Sequence, residues 1–396
     1  MLKRVVFPFR GAELGGSHVA TFALATAIQR QSDIECVVVC PKDTLIMKEA
    51  QRIGLRTVVS EEAPTGRNSA ITDVTRITKR RAILQRACGS GASAVHCNDV
   101  NSLRAWGLPA RLNGVGVAYH HHALNRMWWP PHLVSLAYAN AVVCVSDSTL
   151  AAMRGWRRDA TKELNPFEMD RSINRTSARQ ALLDEFGWPE DAIIVGWIGN
   201  FWARKRPEFF LEAAAALQQR DPRHRFAMFG RDGDFSMADI RQLAIKHGVN
   251  AATAIPGFRQ PVEANLAAID LLLAPAPREP FGRALVEAIV LGTPIVATRG
   301  AGHSEIIGAW GGGVLANGND SATAVADLCA TVLAEPHRYR LSPTRIDEIA
   351  VALSPDAYAG RMLRLYGQIA GPRGSREGRA AMPSGTAPQP NQRPEH

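Results

Sequence analysis

The chain has 396 residues, 46% of them hydrophobic and 21% charged, with a formal net charge of +9, which suits two globular domains with separate cores rather than one domain or a disordered chain. No apolar run reaches the roughly 18 residues of a membrane span, and Met1-Leu2-Lys3-Arg4 leads straight into a short strand, so neither a spanning helix nor a signal segment is expected. Zinc-finger spacing, RNA-binding aromatic motifs and Lys/Arg blocks are missing, so the charge points away from nucleic acid and toward phosphorylated ligands or an anionic membrane surface. The six cysteines form no CxxC and stand in or beside apolar runs; buried free thiols in a reducing compartment are favoured over disulfides or zinc.

In chain order, a strand is predicted over 5–9, a loop over 10–16 and a helix over 17–29. The paired Gly15 and Gly16 before that helix allow close approach of a ligand. Strands over 37–40 and 57–60 flank a helix near 44–53. A helix over 71–88 carries Arg76, Lys79, Arg80, Arg81 and Arg86, read either as a solvated basic face or as a helix lying on anionic lipid. His96 ends the next strand and opens Cys97-Asn98-Asp99. A strand over 115–119 ends in His120-His121-His122, whose side chains alternate between faces and so cannot all hold one metal ion without a sharp turn.

Arg126-Met127-Trp128-Trp129-Pro130-Pro131 reads as a loop, its indoles either packing on the domain or anchoring at a membrane interface or acceptor. A strand over 141–145 follows, with Ser148 expected to cap the next helix. Residues 171–188, polar and rich in Arg and Glu, read as a helix and linker, and a hinge is placed there.

The second half opens on an apolar strand, 193–198, ending at Gly199. Arg204 and Lys205 come next, just before a helix start at Pro207, a phosphate-binding arrangement. A strand over 225–229 ends at Gly230. Residues 269–300 read as strand, loop, helix and parallel strand, with Glu279-Pro280-Phe281-Gly282 in the loop and Glu287 two turns into the helix. Eight helical steps return a residue to within about 80° of its starting direction, so Glu279 and Glu287 can face one ligand. The helix start at Arg283 offers N–H groups and a positive dipole end to phosphate.

Glu279-Pro280-Phe281-Gly282-Arg283-Ala284-Leu285-Val286-Glu287, with Gly292-Thr293-Pro294 after it, resembles the Glu-seven-residues-Glu signature of the family 4 glycosyltransferases. The resemblance covers residues 5–369 and is strongest in the second half. It implies a GT-B fold: α/β, two Rossmann-like doubly wound domains facing a central cleft. The implied domains are 1–170, acceptor-binding; a linker and hinge at 171–190; 191–352, binding the nucleotide sugar; a helix over 353–370 crossing back to the first domain; and a disordered tail, 371–396. It also implies transfer of a sugar from a nucleotide-diphosphate sugar to an acceptor hydroxyl with retention of configuration.

Carried onto this chain, Glu279 holds sugar hydroxyls, Glu287 the ribose diol, and Arg204, Lys205 and the Arg283 helix start the diphosphate. Gly15, Gly16, Gly199, Gly230, Phe281 and Gly282 line the donor. His121 sits at the reacting phosphate, with His120 the neighbouring register. Asn200 stands where many members have Arg, and Ala301 replaces the first glycine of a Gly-Gly-x-x-Glu segment ending at Glu305.

No metal and no cofactor are implied, the cations and helix start serving where other transferases use Mg²⁺ on an Asp-x-Asp motif. The expected partners are the nucleotide-diphosphate sugar, its base unread, and a sugar or lipid-linked acceptor. No nucleic acid is expected, and the cytoplasmic face of the membrane is the expected place. The alternatives are a silent nucleotide-sugar-binding module and an epimerase or phosphorylase of the same fold.

Overall fold

The computed structural model describes residues 1–11, 14–60, 76–124 and 130–370. Its contacts divide into two units, one built from Met1–Glu168 with residues 351–370 and one from Met169–Ala350. Trp128, Trp129, the N-terminal part of the basic helix and the tail over 371–396 lie outside the described residues.

The first unit runs β1 (Leu2–Pro8), α1 (Gly16–Gln31), β2 (Glu35–Cys40), α2 (Leu45–Arg52), β3 (Arg56–Val59), α3 (Ile77–Cys88), β4 (Ala92–Cys97), α4 (Val100–Leu112), β5 (Gly116–His121), α5 (Pro130–Leu136), β6 (Ala141–Cys144), α6 (Asp147–Arg154) and β7 (Thr161–Lys162). The strands pair in parallel in the order β3-β2-β1-β4-β5-β6-β7. Val5, Phe7, Cys36 and Val38 pack on one face, and Val6, Val37, Val39 and Val95 on the other. A parallel sheet covered on both faces needs strands that are apolar throughout, which is why the period-2 signal is missing from them.

The second unit runs α7 (Arg175–Phe186), β8 (Ile193–Ile198), α8 (Pro207–Arg220), β9 (His224–Phe229), α9 (Met237–Lys246), β10 (Thr253–Ala254), α10 (Val262–Ala268), β11 (Leu271–Ala274), α11 (Arg283–Val290), β12 (Ile295–Thr298), α12 (Ala301–Trp310), β13 (Gly313–Ala316), α13 (Ala322–Ala334) and α14 (Pro343–Ala352). Its parallel sheet has the order β10-β9-β8-β11-β12-β13. Both sheets reverse direction of growth beside their first strand, the doubly wound pattern whose switch point receives ligands. The last helix, α15 (Pro355–Ile369), belongs to the first unit, where it packs on α1. Its Tyr366 hydroxyl meets His96 Nδ1 at 2.6 Å and its Tyr358 hydroxyl meets His120 Nδ1 at 3.3 Å.

Several local expectations change. Ser146, not Ser148, caps α6, because the strand before it stops at Cys144 and the Ser146 hydroxyl accepts from Thr149 N at 3.2 Å. Pro130 and Pro131 open a helix, since the first helical turn has no use for their missing N–H groups.

The hinge expected over 171–190 lies inside the second unit. Arg175 donates to the carbonyls of Leu291 and Ile269, and Arg179 pairs with Asp270, which clamps α7 to the sheet.

Arg80 departs from the basic face. It is fully buried, donates to Ala105 O at 3.3 Å and lies 5.7 Å over the Trp106 ring. Arg81 is held by Asn113, so the exposed cations of α3 are Lys79 and Arg86. Replacing Arg80 with Ala removes a fully packed side chain; thermal or denaturant unfolding is expected to show a loss of about 2–4 kcal/mol, against less than about 0.5 for Arg86→Ala. Equal small losses would contradict the burial.

Candidate active site

The carboxyl ends of β8 and β11, neighbours at the switch point of the second sheet, place the polar residues of this unit. After β8 the chain turns at Gly199, whose φ of 156° and tight neighbourhood exclude a side chain: a Cβ there would come within 2.9 Å of Lys205 Cδ. A single 3₁₀ turn, Ala203–Lys205, then presents Arg204 and Lys205 before α8. After β11 the loop brings Glu279 to them. Arg204 Nη1 and Lys205 Nζ each lie 3.1 Å from the same oxygen, Glu279 Oε2. Burial alone would raise the Glu279 carboxyl, but the charges of Lys205 and Arg204 and the Lys205 hydrogen bond outweigh it and hold its pKa below the ordinary value.

Gly282 caps α11 in the left-handed region, φ 99°, so the helix begins only at Arg283. Glu279 and Glu287 are therefore not separated by eight helical steps, because the chain from Glu279 to Gly282 is not helical. Glu287 is nonetheless buried, 7% exposed, and pairs with Arg283 Nη2 at 3.1 Å, one turn back. Phe281 is buried, and its carbonyl lies 2.2 Å from where a Cβ on Gly302 would stand. Gly230 is pressed equally hard: a Cβ there would fall 1.9 Å from Gly199 O.

Ala301 takes φ 41°, a left-handed conformation that costs an L-residue about 1–2 kcal/mol. Ala301→Gly is expected to stabilise the fold by up to about 1 kcal/mol in denaturant unfolding, the relief being partly offset by the extra freedom of glycine in the unfolded chain. A destabilised variant would show that the φ is unstrained.

The expectation that no Asp-x-Asp triplet occurs is wrong: Asp232-Gly233-Asp234 is one. Both carboxylates serve the backbone, Asp232 accepting from Met237 N at 2.9 Å and Asp234 from Ala203 N at 2.8 Å. Among the described residues, Glu208, Glu212 and His247 form the group compact enough for a metal ion, and there Glu208 already pairs with Lys246 at 2.7 Å.

In the first unit, Gly15 caps α1 and its N–H donates to His18 Nδ1 at 3.0 Å; Gly16 is the first helical residue. His120 and His121 are each 2% exposed, on opposite faces of β5. His121 Nδ1 lies 2.8 Å from the Tyr119 hydroxyl, and burial pushes its pKa down to about 4. The His120 ring lies against that of His122, tilted by 41° with ring centroids 4.1 Å apart; burial, then the neighbouring His122, His96 and His121, drive its pKa well below the usual value. The Nε2 atoms of His120 and His121 are buried without a hydrogen-bond partner.

Two doubly wound parallel domains in one chain, the second with an ionic cluster at its switch point, define the GT-B class of fold. Solved structures agree: Anabaena HepE in complex with UDP and glucose superposes with a TM-score of 0.77 at 16% identity, covering 92% of this chain and 99% of that one. Sucrose-phosphate synthase from Thermosynechococcus elongatus gives 0.73 at 19% identity, over 92% and 98%.

The family described as Glycosyl transferases group 1 matches residues 178–348, a stretch that lies within the second unit. Among curated proteins, D-inositol 3-phosphate glycosyltransferase 2 of Catenulispora acidiphila is 31% identical over 207 residues, 48% of this chain and 46% of that protein. The chain thus matches about half the length of such relatives.

Proposed function

We propose that the protein is a retaining, family 4 glycosyltransferase that moves a sugar from a nucleotide-diphosphate sugar to an acceptor hydroxyl, without a metal or cofactor. The observation that carries this reading is Glu279, its side chain 13% exposed, held by Lys205 and Arg204 beside the start of α11. The cations and the positive dipole end of the helix gathered there stabilise the charge that grows on the departing diphosphate. Glu279 Oε1 lies outside that pair of contacts and is the oxygen assigned to the sugar hydroxyls, while Glu287 takes the ribose. No enzyme nucleophile suggests itself, so attack on the same face, with the leaving phosphate as base, is the assigned course. UDP bound to HepE supports a uridine donor, and the names of the curated relatives support a polyol acceptor.

A cell-envelope or lipid-linked acceptor met at the membrane's cytoplasmic face completes the reading, Lys79, Arg86 and the net charge of +9 supplying attraction to anionic lipid. No described helix is long and apolar enough to cross a membrane. Binding to anionic vesicles that does not fall with added salt removes this part.

The deciding experiment is a thermal-shift screen of UDP, GDP, ADP and their sugar conjugates on the wild type and on Glu287→Ala. One nucleotide class should raise Tm by a few degrees at 100-fold excess over Kd, an effect of about 2.7 kcal/mol, and the shift should vanish in the variant. Stabilisation by none of them refutes the donor assignment.

A further inference from the structure

His303 has no role in the site as assigned so far, yet the donor loop is built around it. It stands in the first turn of α12, 2% exposed. That turn meets the 277–282 loop at van der Waals limits: Gly300 faces Pro277 O and Gly302 faces Phe281 O with no space for a Cβ, and Gly302 N donates to Glu279 O at 3.0 Å. The His303 ring lies against the end of that loop at Gly282. Its Nδ1 lies 3.2 Å from the carbonyl of Thr298, the last residue of β12. A carbonyl only accepts, so Nδ1 carries the proton and Nε2 the lone pair. The Cδ2–Nε2 edge abuts the α11 cap, 3.0 and 3.5 Å from where a Cβ on Gly282 would sit.

The ring also feels the ionic cluster. Burial pushes its pKa down to about 4, Glu279 opposing and Lys205 assisting, so it is neutral at pH 7. A neutral, rigid ring beside Glu279 leaves the carboxylate to Lys205 and Arg204, whereas a cation there would compete for it.

We infer that His303 is a positioning residue: tied to the end of β12, its ring props Gly282 and fixes the height at which the Glu279 carboxylate meets the donor sugar. This rests on the donor-site reading above, and the experiment separates the two. His303→Asn keeps an N–H for Thr298 O but empties the edge against Gly282. At unchanged Tm it is expected to lower kcat/KM for the nucleotide sugar about 10- to 100-fold while binding of the sugar-free nucleoside diphosphate stays within about twofold. His303→Gln, whose amide reaches the Nε2 position, should recover most of the loss. Wild-type kcat/KM in the Asn variant overturns the inference, as does an equal loss for nucleotide and nucleotide sugar.

A second readout needs no turnover. In ¹⁵N-histidine spectra at pH 7, His303 should show the Nδ1-protonated tautomer and its signals should move in Glu279→Gln. The other tautomer, or unmoved signals, overturns the placement even if the protein transfers no sugar. Inactivity of the wild type with every donor, alongside the expected spectra, refutes the donor reading alone.

Discussion

Lys205→Ala is expected to lower kcat/KM for the nucleotide-sugar donor by about 2–4 kcal/mol, roughly 30- to 800-fold, and Arg204→Ala by less. Both cations touch Glu279 Oε2 at the same distance, but their surroundings differ: the Lys205 side chain is 21% exposed and that of Arg204 51%. Water screens the more exposed charge, so its removal costs less. The Lys205 change has a second consequence. Glu279, little exposed and left with one half-exposed partner, loses the larger of the two charges that hold its pKa down. Its folded pKa lies below its unfolded value, so its stabilising contribution is present above the ordinary carboxylate range and is lost as the pH falls through the folded pKa. In Lys205→Ala that acid loss should begin at higher pH. Steady-state kinetics with the identified donor and acid unfolding curves check the two parts; equal losses for Lys205→Ala and Arg204→Ala would remove the assigned order of the cations.

Gly230→Ala is expected to destabilise the second unit by about 3 kcal/mol or more. The new methyl group would fall 1.9 Å from Gly199 O, and the obstacle is backbone on both sides. Gly230 N donates to Gly257 O at 3.1 Å and Gly199 N to Phe229 O at 2.9 Å, so neither segment shifts without breaking a bond at the end of β8 or β9. Donor binding should fall with it, because Gly199 is the turn that delivers Lys205. Gly308→Ala is the control: it lies within α12 with open space around it and should stabilise by about 0.5–1 kcal/mol. Matching Tm values for Gly230→Ala and wild type would show that the β8 and β9 turns tolerate separation.

These two sites illustrate what a one-dimensional reading captures. Glu287 was legible from its place two turns into a predicted helix, and it is buried among Leu285, Val286, Ala288 and Ile289. The parallel sheets were legible for a related reason, as apolar runs too short for helices and bounded by Gly and Pro. Arg80 was misread because residue type argues for solvent and only the fold brings Trp106 across to it. Ser148 lost the cap to Ser146 because the strand ends at Cys144, one residue sooner than predicted, and the helix begins at once at Asp147. The polar 175–186 helix resembled a linker because its partners, Asp270 and the carbonyls of Ile269 and Leu291, lie about a hundred residues away. His303 gave no signal at all: one histidine in a small-residue stretch shows neither its burial nor the glycine it supports.

The return of α15 to the first unit also sets an order of events during synthesis. His96 and His120 leave the ribosome 270 and 238 residues before the tyrosines whose hydroxyls they meet. The second unit, lying wholly between them in the chain, is complete while the face of the first sheet that α15 covers is still bare. The N-terminal domain is therefore the last to close, and a chain ending between Ala350 and Pro355 holds every residue of the second unit while the first still lacks the helix that covers its sheet.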